Sequence, residues 1–315
     1  MRLNLKISIL IILALTLVSI FLFAGIPSHW NYILPRRFEK VLAIVMTGTV
    51  IAIATVVFQT ITNNRILTPS VIGLGSLYTL LQTFIVFVFG VTSIASVNQT
   101  INFILSVIAM MVFAFVLYQL LFKKQQNVYF LLLVGLVFGT FFSSLSSFMQ
   151  VLIDPNDFLS VQNKLFASFN SIHTAIIPYA FGIILLSLAY FWRFIKYLDV
   201  MALGKSHAIN LGINYDYMVK RLLIIIAVWI SVATALVGPI LFLGLLVANV
   251  TYEFLQTHKH AYLLPSAALI SIIALVGGQL IVERVFTFNT TISVILNFIG
   301  GVYFLYLILK ENKAW

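Results

Sequence analysis

Long apolar stretches separated by short polar segments make up almost the whole chain. Crossing the hydrocarbon core of a bilayer takes about 20 residues of helix, and a helix satisfies its own backbone hydrogen bonds there. The pattern therefore predicts an all-α fold, a polytopic membrane helical bundle of about ten transmembrane helices. The predicted spans are 7–26, 41–61, 71–92, 101–122, 128–153, 172–194, 219–237, 240–255, 263–281 and 291–309.

The first of these spans has the position of a signal peptide but lacks its other features. It is about 20 residues long, longer than a signal-peptide core, and no clear small-residue cleavage site precedes Pro27. We interpret it as a retained membrane anchor.

Composition agrees with a chain that is solvated by lipid. Of its 315 residues, 62% are apolar and 8% are charged, and the mean hydropathy is +1.12, which excludes a water-exposed globule. The ten spans and their loops use up the length, so we expect one transmembrane domain, residues 1–315. The absence of cysteine excludes a disulfide framework, a thiolate metal site and a cysteine nucleophile.

The basic residues, which give a formal net charge of +10, lie scattered at the ends of apolar runs and form no stripe. We therefore expect no nucleic-acid partner and attribute them to membrane topology. With the N-terminus inside, thirteen lie on the cytoplasmic side and five outside, and this positive-inside bias predicts that both termini are cytoplasmic. The cytoplasmic set is Arg2, Lys6, Arg65, Lys123, Lys124, Arg193, Lys196, Lys205, Lys220, Arg221, Lys259, Lys310 and Lys313; the external set is Arg36, Arg37, Lys40, Lys164 and Arg284.

Acidic residues and histidines all lie in loops or near span ends. An ion-coupled secondary transporter usually keeps a carboxylate or basic group near mid-membrane, so that class is disfavoured, although neutral ligands can also bind sodium. His258 and His260 flank Lys259, and we interpret them as an interfacial basic cluster and not as a metal site. We expect no catalytic residue, no cofactor, no bound nucleotide and no structural metal.

The segment from Gly73 to Ser76 resembles a fragment of a phosphate-binding loop, but no lysine follows it. We attribute its small residues to close helix packing. Because no nucleotide-binding loop is present, active import would need energy from another chain.

Two connections are long enough to hold structure of their own. The external connection, 154–171, begins with the turn signal Asp154, Pro155, Asn156 and Asp157. The cytoplasmic connection, 196–220, is the most patterned.

Three stretches carry a resemblance to the permease family of iron-siderophore and cobalamin ABC importers. The first runs from Leu34, Pro35, Arg36 and Arg37 into the second span, and continues with a turn over residues 63–73. It is similar to the proline-arginine entry and the asparagine-proline-leucine turn of that family. Arg65 stands where the family usually has proline.

The second stretch is a short segment bracketed by Gly204 and Gly212 and flanked by charge. The glycines enclose about two turns of helix, which is too short to cross a membrane. By itself this pattern is typical of an ordinary surface helix. In the family it is the coupling helix that docks on the ATPase.

The third stretch, from Gly238 and Pro239 to Gly244, resembles the glycine-proline-isoleucine-x-phenylalanine-x-glycine-leucine signature and is the most specific of the three. Alone, its glycine and proline indicate a helix end or a tight turn. The family commonly continues with proline-histidine and an arginine, whereas this chain has Ala248, Asn249 and Tyr252.

The resemblance implies a permease of a bacterial cytoplasmic membrane whose pore forms between two permease subunits, identical or paralogous. A separate ATP-binding subunit drives it and an external substrate-binding protein feeds it. The implied substrate is a ferric siderophore; the alternatives are cobalamin or haem, an ion-coupled carrier, or a structural membrane subunit. The implied ATPase contact has Leu203, Ala208 and Leu211 as its apolar footing, with Gly204 and Gly212 setting the helix ends.

Three arginines are the implied docking face for the binding protein: Arg36, Arg37 and Arg284. The alternative is that they are interfacial anchors whose long stems reach toward lipid headgroups. Family-typical sequences carry a further arginine at the position of Ile33, so Arg37 is interpreted as its substitute.

Overall fold

Helices account for all the regular secondary structure in the part of the chain that the structure describes. The structure is a computed structural model, and it describes residues 3–25, 30–123, 128–170, 172–288 and 290–311. The helices are α1 (Leu3–Phe23), α2 (Trp30–Thr62), α3 (Leu74–Phe89), α4 (Ile94–Val97), α5 (Gln99–Lys123), α6 (Val128–Leu152), α7 (Pro155–Leu165), α8 (Ile177–Phe191), α9 (Ile195–Met201), α10 (Lys205–Asn210), α11 (Tyr215–Val237), α12 (Leu243–Leu255), α13 (His260–Arg284) and α14 (Ile292–Glu311). Of the residues used in the topology prediction, Arg2, Lys124 and Lys313 lie outside the described residues, as does His29.

Every predicted span has a helix at its position, so the chain is a multi-pass membrane protein. Within the described residues, seven helical segments are long and apolar enough to cross a membrane. Shorter apolar helices occupy the other three positions, at α3, α12 and α14. The prediction of an all-α polytopic bundle is confirmed.

Several boundaries differ from the prediction, among them the start of α2 at Trp30 instead of 41, and two of the differences have identifiable backbone reasons. α12 begins at Leu243 instead of 240, because Gly238 adopts a φ of 96° and Pro239 follows it. The sixth apolar segment does not end near 194, where the prediction placed its end, although α8 itself ends at Phe191. The helical backbone continues from α8 through a 3₁₀ turn, Trp192–Phe194, into α9. The first residues of the predicted cytoplasmic connection are therefore helical.

The external connection predicted at 154–171 holds the helix α7. Pro155 occupies its first turn, and the Asp154 carboxylate accepts a hydrogen bond from the Asn156 N–H at 2.9 Å. Aspartate at this position satisfies a free amide of the first turn.

The core is formed mainly by α2 and by the two helices that pack along it, α11 and α13. Trp229 of α11 and Phe58 of α2 are fully buried there. Fewer than half of the described residues of α1, α5, α6 and α8 are buried. Those peripheral helices present apolar surface to lipid or to another protein chain.

Small residues allow one close crossing inside the bundle. The turn that ends at Gly73 lies directly on α6, where a Cβ added to Gly135 would come within 2.8 Å of the Ile72 Cα. A Cβ on Gly139 would come within 3.4 Å of the Gly73 Cα. The interpretation of Gly73 as a helix-packing residue is confirmed.

Neutral polar side chains join the same helices. The Gln82 amide of α3 donates to Asn102 Oδ1 at 2.9 Å and to Ser106 Oγ at 3.0 Å, both on α5. Thr83 and Ser146 share a hydroxyl hydrogen bond of 2.9 Å between α3 and α6. Such bonds hold helices together in lipid, where apolar contact alone does not distinguish helix from lipid tail.

Matched glycine substitutions test the close crossing. Gly135→Ala places a methyl group against backbone that has no room for it, and overpacking typically costs about 1–3 kcal/mol. Gly182→Ala in α8 meets nothing within 4 Å, so helix propensity should stabilise it by up to about 1 kcal/mol. Thermal unfolding in detergent should therefore shift in opposite directions for the two variants. Equal shifts would contradict the crossing.

Candidate functional site

The bundle has a predicted external end and a predicted cytoplasmic end, and α2 runs from the first to the second. Short helix α10 lies at the predicted cytoplasmic end. Gly204 and Gly212 flank it with φ of 92° and 82°, conformations that side-chain-bearing residues rarely adopt. The predicted two-turn helix between these glycines is present.

The exposed surface of this segment is mixed, with apolar residues beside the polar side chains of Lys205, Ser206, His207 and Asn210. Leu211 is 63% exposed, and Leu203 and Ile209 are also exposed, whereas Ala208 is 0% exposed. Ala208 therefore seats the helix on the bundle and does not belong to an exposed footing. Ile209, which the sequence pattern did not single out, takes its place.

Polar contacts fix α10 relative to the core. The Tyr215 hydroxyl at the start of α11 donates to the Ile61 carbonyl at the end of α2, at 3.1 Å. Lys205 of α10 forms an exposed ion pair of 2.9 Å with Asp216. The exposed ion pair adds little stability, but the buried hydroxyl ties α10 and α11 to the longest core helix.

His260 is the first residue of α13, and it is buried, so it does not form an exposed basic cluster with His258. Its backbone N–H donates to Asp199 Oδ1 of α9 at 2.8 Å, and its Nδ1 lies 2.7 Å from the same oxygen. Its Nε2 lies 2.8 Å from the Thr60 hydroxyl of α2. The histidine therefore joins α2, α9 and α13 beside α10.

Three of the positions where this chain departs from the family pattern contact one another. The Arg65 guanidinium lies over the Tyr252 ring, 4.8 Å from its centroid, and the Asn249 amide donates to the Arg65 carbonyl at 3.1 Å. The Gln59 amide donates to that carbonyl at 2.6 Å. The three departures thus form one structural group that fixes the turn after α2 against α12.

At the predicted external end, two of the three candidate docking arginines meet on the last turn of α1. Arg37 Nη1 donates to the carbonyls of Phe21, Leu22 and Ala24 at 2.9, 3.2 and 2.9 Å. Arg284 Nη2 donates to the same Ala24 carbonyl at 2.5 Å. Cations here satisfy free carbonyls and oppose the negative end of the helix dipole.

Arg36 has a different environment. It is exposed, and its guanidinium lies 4.2 Å from the centroid of the Tyr32 ring, one turn earlier in α2. Beside it, Lys40 forms a half-buried ion pair with Glu283 at 3.2 Å and donates to Asn170 at 2.9 Å. Arg36 is therefore the candidate docking residue with the most freedom to meet a partner.

The signature segment is a structural junction. A Cβ on Gly238 would lie 3.0 Å from the Ala167 Cα, and the Ser168 N–H donates to the Val237 carbonyl at 3.0 Å. Pro239 packs near Gly75 of α3, and a Cβ on Gly244 would collide with the Thr55 side chain. Protein therefore surrounds the non-helical backbone between α11 and α12.

One surface was not predicted from the sequence. Exposed hydroxyls on α6 recur at the spacing of a single helix face, and exposed Phe141 and Phe148 flank them. The hydroxyl residues are Thr140, Ser143, Ser144 and Ser147. A mixed hydroxyl and aromatic face is better suited to water, a polar ligand or a partner helix than to lipid tails. The spacing was readable in the sequence, but exposure was not.

The described helices thus form a multi-pass membrane bundle with one short helix at its predicted cytoplasmic end and an exposed hydroxyl-bearing face on α6. Residues 5–310 match the FecCD transport family, and the chain belongs to that family.

Named relatives and a solved structure agree with this assignment. The chain is 59% identical to the petrobactin import system permease protein YclO of Bacillus subtilis (strain 168), over 100% of both chains. It is 34% identical to the petrobactin import system permease protein FatC of Bacillus anthracis, over 89% of this chain and 79% of that protein. It is 24% identical to a second such permease of Bacillus subtilis, YclN, over 99% of both.

A solved structure of a metal-chelate type ABC transporter in an inward-facing conformation shares the fold. Its TM-score is 0.83 at 22% sequence identity, and the match covers 98% of this chain and 100% of that one.

Proposed function

We propose that this chain is the transmembrane permease subunit of an ABC importer for a ferric siderophore of the petrobactin type. The observation that carries the proposal is the 59% identity to YclO over the full length of both chains. The chain supplies the translocation pathway, and a partner chain supplies ATP hydrolysis.

The proposed orientation has both termini in the cytoplasm of a bacterium. The thirteen-to-five distribution of basic residues supports it. The proposed organisation is a single permease domain over residues 1–315, since residues from α1 to α14 contribute to one hydrophobic core.

The proposed assembly contains two different permease subunits. Bacillus subtilis has two proteins named as petrobactin import permeases, and this chain is 59% identical to one and 24% identical to the other. Divergence of that size favours a paralogous partner for this chain over a second copy of it. An ATP-binding subunit and an external substrate-binding protein complete the proposed complex.

The hydroxyl-bearing face of α6 is the proposed lining of the pathway, opposite the partner permease. Hydroxyls can exchange hydrogen bonds with a polar chelate, while Phe141 and Phe148 offer aromatic surface. Iron chelates are often anionic and aromatic. The arginine-bearing external end suits their charge.

Two other functions remain as alternatives. A cobalamin or haem importer would use the same fold and partners, and differs only in its cargo. An ion-coupled carrier would need no ATPase.

Uptake of radioactive iron by iron-starved cells tests the proposed function. A strain lacking this chain should take up at least tenfold less iron from ferric petrobactin. Its uptake of iron from a ferric hydroxamate and its uptake of cobalamin should be unchanged. Unchanged uptake from ferric petrobactin would overturn the proposed substrate assignment. Uptake that survives ATP depletion but stops when ion gradients collapse would support the carrier instead.

The exposed apolar surface of α10 generates a coupling prediction. We expect Leu211→Glu to reduce transport at least tenfold while the complex still forms a membrane-inserted permease, because an unpaired charge at an apolar contact is costly. The readout is ATP hydrolysis and iron uptake in proteoliposomes. Gln256→Glu, an exposed polar position at the same end, is the control. Normal coupling of ATP hydrolysis to iron uptake in the Leu211→Glu variant would contradict the assignment of this segment as the ATPase contact.

The arginines at the external end generate a docking prediction. Arg36→Glu and Arg284→Glu should weaken binding of the substrate-binding protein at low salt, each by about 2–5 kcal/mol if its partner charge is well buried. Arg37→Gln should instead lower thermal stability, because it loses three hydrogen bonds to the end of α1. If both glutamate variants bind the substrate-binding protein with unchanged affinity, these arginines are membrane anchors and not docking residues.

A further inference from the structure

A large cleft opens between α8, α9, α11 and α13 near the predicted cytoplasmic end, away from the α6 face. Its volume is about 1070 Å³, at the upper end of the roughly 300–1,000 Å³ of small-ligand sites. Its walls include Ile53, Leu188 and Leu264, all buried or half-buried apolar residues. The interior therefore suits hydrocarbon.

The rim of the cleft is cationic. Arg193 and Lys196 line it and are both exposed. Among the described residues, no hydrogen bond or ion pair holds the Arg193 guanidinium, and Lys196 lies over its neighbour Tyr197 at 4.9 Å from the ring centroid. No aspartate or glutamate is among the residues that line the cleft. The closest acidic side chain along α9, Asp199, is already bound by His260.

Aromatic residues at the rim match the composition of a membrane interface. Trp192 is 77% exposed, and Tyr190, Tyr197 and Tyr217 line the cleft around it. Tryptophan and tyrosine are enriched at the level of lipid headgroups. An apolar wall that opens beside a cationic interfacial rim has the two halves of a phospholipid site.

Pro265 adds a backbone acceptor to this site. Proline has no N–H, so the Ala261 carbonyl one turn earlier in α13 lacks its usual helical donor. Both residues line the cleft. A headgroup with free hydroxyls can donate to such a carbonyl.

We propose that this cleft binds one anionic glycerophospholipid, with its phosphate at Arg193 and Lys196 and an acyl chain against Leu188 and Leu264. Arginine pairs with phosphate through two parallel hydrogen bonds, and basic pockets between membrane helices are suited to anionic headgroups. The bound lipid braces the α8–α9 segment that leads into α10. This binding does not depend on the identity of the transported molecule.

Lipid retention by the purified complex is the first test, with phosphatidylglycerol as the probe. Complexes reconstituted with phosphatidylcholine and phosphatidylglycerol are delipidated in detergent, and the retained lipid is counted by native mass spectrometry. Arg193→Glu/Lys196→Glu should retain at least tenfold less phosphatidylglycerol than the unmodified complex. Lys220→Glu/Lys259→Glu makes the same charge change at the same end outside the cleft and should retain the normal amount. Equal loss in both double variants would overturn the proposal.

Filling the apolar part separates a lipid from a free anion. Leu188→Trp occupies the cleft wall and keeps both basic residues, so it should also lower lipid retention. Leu186→Trp, at a highly exposed position of α8 outside the cleft, is its control. Normal retention in Leu188→Trp, or displacement of the lipid by inorganic phosphate alone, would overturn the acyl-chain site.

Discussion

The absence of water from the hydrocarbon core is the constraint on which the rest of this structure depends. Every backbone amide and carbonyl there must find a partner within the chain. In the part of the chain that the structure describes, seven long and three shorter apolar helices meet that requirement directly. At the connections between helices, as at 238–242 and 63–73, other parts of the chain cover the backbone: Phe166, Ala167 and α3 enclose the first segment, and Gln59 and Asn249 bind the second.

Helix ends face the same requirement, and they explain much of the charge placement. Arg37 and Arg284 satisfy carbonyls at the end of α1, while Asp199 accepts the first amide of α13. Some charged residues that the sequence alone would assign to the surface therefore form hydrogen bonds with backbone groups at helix ends. Arg36 has no such commitment in the described hydrogen bonds, which is why it is the strongest candidate for meeting a partner.

The candidate docking and coupling surfaces lie at opposite ends of the same packed helices. α2 carries Arg36 near one end and Thr60 near the other, and α13 carries Arg284 and His260 at its two ends. α2 packs against both α13 and α11, and the first turn of α11 adjoins α10. A change at either surface therefore acts on helices that extend to the other. Rigid, mutually packed elements of this kind are a physical basis for coupling, and two discrete arrangements of them are what a transport cycle requires.

The sequence by itself determined the fold class, the approximate positions of the apolar helices and the short helix between Gly204 and Gly212, because these follow from local hydrophobicity and backbone preference. It did not determine which side chains face outward. Ala208 and His260 proved to be buried, Ile209 and the α6 hydroxyls exposed, and Arg65 in contact with Tyr252 far along the chain. Those outcomes depend on how helices rotate and pack against one another, and small residues such as Gly135 decide how closely they approach.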